Sequence, residues 1–205
     1  MHRRYSLLGA AALAVTSFAA GAHAQNAPPS GGGAAMLEEV VVTAEKREAN
    51  LQTVPVAVSA FTSERRDTVG IRTLQDITNF TPGLSYSTGT DRVSLRGIGR
   101  LTNNLASEPG VANYLDGIYT VFTADAGLPP LFVDRVEVLR GPQGTLYGRN
   151  SIGGAINTIT KRPPKTFSGE VRAIYENYDH KELQALVGGP ITEGLRFSLG
   201  GIKIK

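Results

Sequence analysis

The 205-residue sequence has no cysteine and no tryptophan, and only two methionines and three histidines. Without cysteine, disulfides and thiolate chemistry are closed to it, so an ordered chain of this size must be held by packing, hydrogen bonds or a surrounding partner. His2 and His23 lie in a leader-like segment, which leaves His180 as the one histidine beyond it. That excludes Cys/His zinc sites, and a Ser-His-Asp triad would depend on a residue at a hairpin turn. No metal, no cofactor and no enzymatic activity are expected. An excess of one charge sign is missing as well. There are 21 basic and 18 acidic residues, and Arg3 and Arg4 depart with the leader while no acid does, so the formal +3 falls to +1. A nearly neutral chain gives no reason to expect capture of nucleic acid.

A long apolar run is also absent. Residues Leu7 to Ala20 are apolar, but the run is shorter than the roughly 20 residues that span a bilayer. It follows Arg3 and Arg4 and leads to Ala22-His23-Ala24, a small-x-small exit that places cleavage between Ala24 and Gln25 and makes residues 1–24 a signal peptide. Residues 25–36, with three consecutive glycines among Asn, Ala, Pro and Ser, cannot bury a core and read as a flexible linker.

Leu37-Glu38-Glu39-Val40-Val41-Val42-Thr43-Ala44 then sets a β-branched run between acidic residues and the mixed charge of 45–48. By itself such a run reads as a core strand. Its shortness, its charged flanks and the tether before it favour an isolated strand, with nothing of its own to pair with, suited to adding to the sheet edge of another protein.

From 51 to 165 the pattern is a mixed-sheet α/β domain with short helices. A strand is expected over Val54 to Phe61. A helix follows, capped by Thr62 or Ser63 and ending near Gly70. A second is capped by Thr73, with Asp76 in the capping-box position and Leu74, Ile77 and Phe80 on one face. Thr81-Pro82-Gly83 stops it. Further strands are expected over Arg92 to Ile98, Val111 to Thr120, Arg135 to Arg140 and Ala155 to Thr160, with a turn at Gly141-Pro142-Gln143-Gly144.

Residues 166–205 alternate with a period of two. Phe167, Gly169, Val171, Ala173 and Tyr175 oppose Ser168, Glu170, Arg172 and Glu176. Turns are expected at 177–180 and 188–194, and a phase slip at Gly200-Gly201 suggests a bulge. Strands of this length with one apolar face are the material of membrane barrels, though a soluble hairpin would read the same.

Several segments together resemble the TonB-dependent outer-membrane receptors. Leu37 to Ala44 (LEEVVVTA) resembles the TonB box. LQDITNFTPGL, VSLRGIG, VANYLDGIY and RVEVLRGPQGTLYGRNSIGGAINTITKRP, spread from Leu74 to Pro163, resemble the family's plug domain in the family's order. The resemblance implies an α/β plug followed by the start of an antiparallel transmembrane β-barrel, located in the outer membrane of a Gram-negative bacterium. It implies TonB as a partner, paired by strand addition with Val40, Val41, Val42, Thr43 and Ala44 in the region 37–47. The ligand would be a scarce nutrient, most often a ferric siderophore. Arg96 and Arg140, each followed by glycine, would pair with acids of the barrel wall. Asn103, Asn104, Tyr119 and Phe122 would face the ligand.

Other classes fit less well. Gly97-Ile98-Gly99 lacks the third glycine of a dinucleotide loop, and Gly154 stands where a phosphate loop needs lysine. Gly141 to Gly144 imitates a nucleic-acid clamp, but its proline and the neutral chain favour a turn. Asp116, Asp134 and Glu137 are expected as turn and strand-edge residues. A soluble periplasmic module on the plug fold is the remaining alternative. Three strands do not close a barrel, so a truncated or incomplete receptor is the expectation.

Overall fold

The computed structural model describes residues 40–44, 46–100, 107–175 and 180–205. The expected signal peptide and linker, Asn103, Asn104 and most of the turn expected at 177–180 lie outside them.

The domain is organised on strand β9 (Val133–Arg140). Its sequence alternates too little for a strand with one wet face, because both its faces are covered. On either side lie β3 (Ala57–Thr62) and β10 (Gly154–Thr160), both antiparallel to it. Beyond β10 run β7 (Val111–Leu115), parallel to it, and β8 (Ile118–Thr120), giving the order β3-β9-β10-β7-β8. The pairing shifts between Ile159↔Arg135 and Thr160↔Val133. This irregularity lets Val133 and Val136, three positions apart, enter the same core.

One face of the sheet packs Phe61, Val111, Val136, Val138 and Ile156 against Ile71, Leu74, Ile77 and the strands β4 (Leu84–Ser87) and β5 (Arg92–Leu95). Helix α1 (Ser63–Val69) is capped by the Thr62 hydroxyl, which accepts the Arg65 N–H at 3.2 Å, and it ends at Gly70 with φ +77°. Helix α2 (Leu74–Phe80) carries the full Thr73/Asp76 capping box. Phe80, expected on its buried face, is 43% exposed. Residues 74, 77 and 80 step back about 60° each time on a 3.6-residue helix, so the third has rotated off the face that buries the first two.

Two expected strands fold back on themselves. Arg92 to Ile98 turns at Arg96-Gly97 (φ +54° and +78°) into β6 (Ile98–Gly99). Val111 to Thr120 turns at Asp116-Gly117 (φ +50° and +82°). Two successive positive φ values are the signature of tight hairpin turns, which an Asp-Gly pair favours. The Asp116 carboxylate accepts the Thr160 N–H and hydroxyl, both at 2.8 Å, which fixes the turn against the end of β10. After the turn at Gly141 a short helix α3 (Gly144–Tyr147) forms.

Residues Ser168–Tyr175 (β11), Lys181–Thr192 (β12) and Leu195–Ile204 (β13) form an antiparallel three-stranded meander. It is an open sheet, not a closed barrel. Val171, Tyr175, Leu183 and Leu199 stand exposed on one face. The opposite face meets the domain, where Arg172 pairs with Asp67 at 2.8 Å. The wide turn expected at 188–194 is instead a tight one at Glu193-Gly194, with β12 running through Gly188-Gly189-Pro190. No bulge occurs at Gly200-Gly201; the ladder shifts between Pro190 and Thr192. Gly200 is needed because the Phe132 ring lies over it, leaving no room for a Cβ.

Candidate functional site

The strand expected to stand alone is paired and tied down. Val41–Val42 (β1) lies antiparallel to Ala49–Asn50 (β2), and the Leu51 N–H donates to the Val40 carbonyl at 2.9 Å. Val42 and Ala44 are fully buried with Ala112, Tyr114, Leu139 and Tyr147 on the second face of the main sheet, while Val41 is 38% exposed. A β-branched run has apolar area to bury, and this face of β9 supplies an apolar surface for it.

The tie centres on Glu137, which is not a strand-edge residue: it is fully buried on the central strand. Its Oε1 accepts the Thr43 N–H at 2.7 Å and the Arg135 Nε–H at 2.9 Å, and the Thr43 hydroxyl donates to the same carboxylate at 3.1 Å. The Thr43 hydroxyl also accepts from Asn157 Nδ2 at 3.2 Å. On the other side of the peptide unit, the Tyr147 hydroxyl donates to the Thr43 carbonyl at 3.3 Å. Glu137 thus occupies the Thr43 donor that a neighbouring strand would use, and Tyr147 shares the Thr43 carbonyl with the Lys46 N–H, which donates to it at 2.8 Å.

The charges are arranged to persist. Burial by itself lowers the Arg135 pKa, but the hydrogen bonds and charges of Glu137 and Asp134 outweigh it and hold the guanidinium above its ordinary value. Burial, with the Glu137 and Tyr114 side chains, pushes the Tyr147 phenol well up, so it stays a donor. Hydrogen bonds to charged groups contribute about 1.5–3 kcal/mol each. The two from the Thr43 N–H and hydroxyl to Glu137 hold the segment firmly.

Arg140 shares the face of Val136 and Val138, as expected, and its Nε is buried without a partner. Arg96 is exposed at a turn, with Nη1 near the space above Gly141, beside Arg140. Neither forms an ion pair among the described residues. Tyr119 and Phe122 line a cavity of about 440 Å³ together with Asn113, Arg149 and Asn150. A second cavity, about 490 Å³, is lined by Thr43, Lys46, Tyr147 and Asn157.

Residues 50–155, just over half of the chain, match the family model described as the TonB-dependent receptor plug domain. The chain belongs to this family. The chain is 29% identical to an iron-regulated outer membrane virulence protein of Vibrio cholerae over 90% of its own length and 29% of that protein. It is 30% identical to the ferripyoverdine receptor of Pseudomonas aeruginosa over 75% of this chain and 19% of that one. Among solved structures, the ferric yersiniabactin uptake receptor of Yersinia pestis superposes with a TM-score of 0.59 at 28% identity, covering 72% of this chain and 24% of that one. The chain therefore spans less than a third of the length of these relatives. None of these three names describes an enzyme, in keeping with a family of receptors.

Arg135, Tyr147 and Asn157 are not singled out in the sequence, and Glu137 is expected there only as a turn or strand-edge carboxylate. The signal that could have found Arg135 and Glu137 is the Arg-x-Glu pair inside a β-branched strand. Two opposite charges on one face of a central strand need each other or a third partner.

Proposed function

We propose that this plug serves an outer-membrane receptor for energy-coupled uptake of a ferric siderophore, with TonB reaching residues Val40, Val41, Val42, Thr43 and Ala44 by strand addition. The observation that carries this reading is the capping of Thr43 by Glu137 and Tyr147. A segment with strand-forming sequence has its Thr43 N–H satisfied by a side chain, which the carbonyl of a partner strand can replace. In this reading residues 1–24 are the signal peptide, 25–36 the linker, 37–47 the TonB-box region, 51–165 the plug, and 166–205 the first strands of the surrounding barrel. The exposed apolar face of β11 to β13 supports the last assignment. Arg140, with its unpartnered Nε, and Arg96 face wall carboxylates. In this reading Asn103, Asn104, Tyr119 and Phe122 face the ligand.

The test is Val41→Pro in the receptor that carries this plug, assayed with ferripyoverdine, ferric yersiniabactin and ferrichrome. Proline removes a backbone donor from the segment. For whichever compound the receptor takes up, the variant binds it normally and fails to import it. Undiminished import overturns the reading.

A further inference from the structure

The face that β11 to β13 turn toward the domain departs from the pattern of a barrel wall. The inner side of a membrane barrel is polar, and Arg172, Glu182 and Gln184 follow that rule. Ile174, Ile202 and Ile204 do not. The ladder sets Arg172, Gln184 and Ile202 in one row across the three strands, and Ile174, Glu182 and Ile204 in the next. Ile202 and Ile204 are the residues beyond the phase slip at Gly200-Gly201. With no bulge there, the slip itself turns them inward. All six side chains line a cavity of about 780 Å³, within the roughly 300–1,000 Å³ of small-molecule sites.

Across the cavity stand α1 and the connection that follows it, with Pro129 and Pro130. Arg66 of α1 lines this wall and is fully buried. Its Nη2 donates to the Leu128 carbonyl at 2.9 Å, while its Nε and Nη1 have no partner. The neighbouring acids are engaged elsewhere, Asp67 with Arg172 at 2.8 Å and Asp76 in the capping box of α2. Among the described residues no ion pair neutralises Arg66, and a buried cation is costly without a counter-charge. On the sheet side Gln184 is 3% exposed; its Nε2 donates to Glu182 at 2.7 Å and its Oε1 is unpartnered. One wall therefore lacks an acceptor and the other lacks a donor.

These features specify a ligand. The free donors of Arg66 call for an anion, Gln184 Oε1 for a hydroxyl that donates to it, and the isoleucines for an apolar body. Glu182 on the same wall disfavours a dianion such as a phosphomonoester. We propose that this cavity binds a hydroxylated organic acid with an apolar body, its carboxylate on Arg66 and its hydroxyl on Gln184. The site shares no residue with the cavity of Tyr119 and Phe122, so it stands or falls apart from the siderophore reading.

The probe is 3-phenyllactate. Two analogues dissect it: 3-phenylpropionate lacks the hydroxyl, and methyl 3-phenyllactate lacks the charge. A lost hydrogen bond corresponds to about a factor of ten, so calorimetric titration of the full chain should give 3-phenyllactate about tenfold tighter binding than either analogue. Gln184→Leu lowers the hydroxy acid to the affinity of 3-phenylpropionate and leaves the latter unchanged. Arg66→Met weakens both acids and leaves the ester where it was. Ile174→Trp, which adds bulk to the cavity wall, weakens all three compounds. Melting curves show which variants are folded; if Arg66→Met is not, Gln184→Leu and Ile174→Trp decide alone. Absence of binding at millimolar 3-phenyllactate overturns the site. So does equal affinity for 3-phenyllactate and 3-phenylpropionate, or a preference between them that survives Gln184→Leu. Undiminished binding to Ile174→Trp places the compound elsewhere and overturns it as well.

Discussion

The Glu137 carboxylate accepts both the backbone N–H of Thr43, at 2.7 Å, and its hydroxyl, at 3.1 Å, across 94 positions of sequence. A single buried side chain on the central strand thereby fixes the position of a segment that precedes the whole domain. The same carboxylate neutralises Arg135, whose side chain is 12% exposed. Two different consequences of losing Glu137 can therefore be separated.

Glu137→Ala leaves Arg135 buried with only Asp134 beside it. Breaking a buried pair by removing one partner costs about 3–5 kcal/mol, so the urea midpoint of the chain falls sharply. Removing both charges with Glu137→Leu and Arg135→Leu restores most of that stability, because no uncompensated charge remains. Residues 40–44 stay loose in the double variant. Hydrogen exchange at the Thr43 amide, fast in both variants and slow in the parent, tells the two effects apart. Protection of that amide in the double variant would mean that apolar burial of Val42 and Ala44 alone docks the strand.

The capping box of α2 predicts a pH dependence. Burial alone would raise the Asp76 pKa, but hydrogen bonds from the Thr73 and Arg72 amides and the Thr73 hydroxyl, with the Arg66 charge, bring it below the ordinary aspartate value. A depressed folded pKa contributes stability that is fully present above the unfolded value, about 3.9. That contribution is lost as pH falls through the folded value. Asp76→Asn should therefore lower the melting temperature at neutral pH, by an amount corresponding to the roughly 0.5–2 kcal/mol of a helix cap. The gap between parent and variant should close as pH falls below about 4. Melting curves at neutral pH and at pH values below that point check this; a gap that widens on acidification would contradict it.

The helices were legible because their signals are local. Thr62, Gly70, Thr73 and Asp76 act within four positions, and each stands where the sequence placed it. Strands β9 and β10 were legible from their β-branched residues, Val133, Val136 and Val138 in one and Ile156, Thr158 and Ile159 in the other. The hairpin turns at Arg96-Gly97 and Asp116-Gly117 were missed inside longer β-type runs, and strand β4 was missed because LSYS acquires its character only from pairing with β5. Phe80 followed helical spacing to the wrong face. The tie on residues 40–44 was invisible for a different reason. Nothing in LEEVVVTA specifies a partner, and the partner is a glutamate whose burial depends on five strands assembling first.

Glycine at 154 is required by contact as well as by backbone. Its φ is +150°, and a Cβ there would overlap the Leu139 carbonyl and the Leu95 side chain, which sits in the main core. Gly154→Ala should cost at least the roughly 1–3 kcal/mol of an overpacked core, and it should also disturb the β9–β10 pairing next to Arg140. Gly144→Ala, at the first position of α3 with nothing near its Cβ, should instead stabilise by about 0.4–1 kcal/mol by restricting the unfolded chain. Urea denaturation of the two variants should give shifts of opposite sign.

Arg140 offers a prediction whose sign depends on context. In this chain its Nε is buried and unpartnered, and a buried donor without an acceptor costs about 1–3 kcal/mol. Arg140→Leu keeps the apolar contacts beside Val136 and Val138 and removes that donor, so the isolated chain should gain stability. Arg96→Leu, at an exposed turn, should change it by less than about 0.5 kcal/mol. If a wall carboxylate completes Arg140 in the receptor, the same Arg140→Leu substitution there strands a buried acid and becomes destabilising by several kcal/mol. Comparing urea midpoints of the chain with thermal unfolding of the receptor decides the matter. A loss of stability in both would place the partner of Arg140 within the chain itself, and a gain in both would remove the wall carboxylate from the proposal.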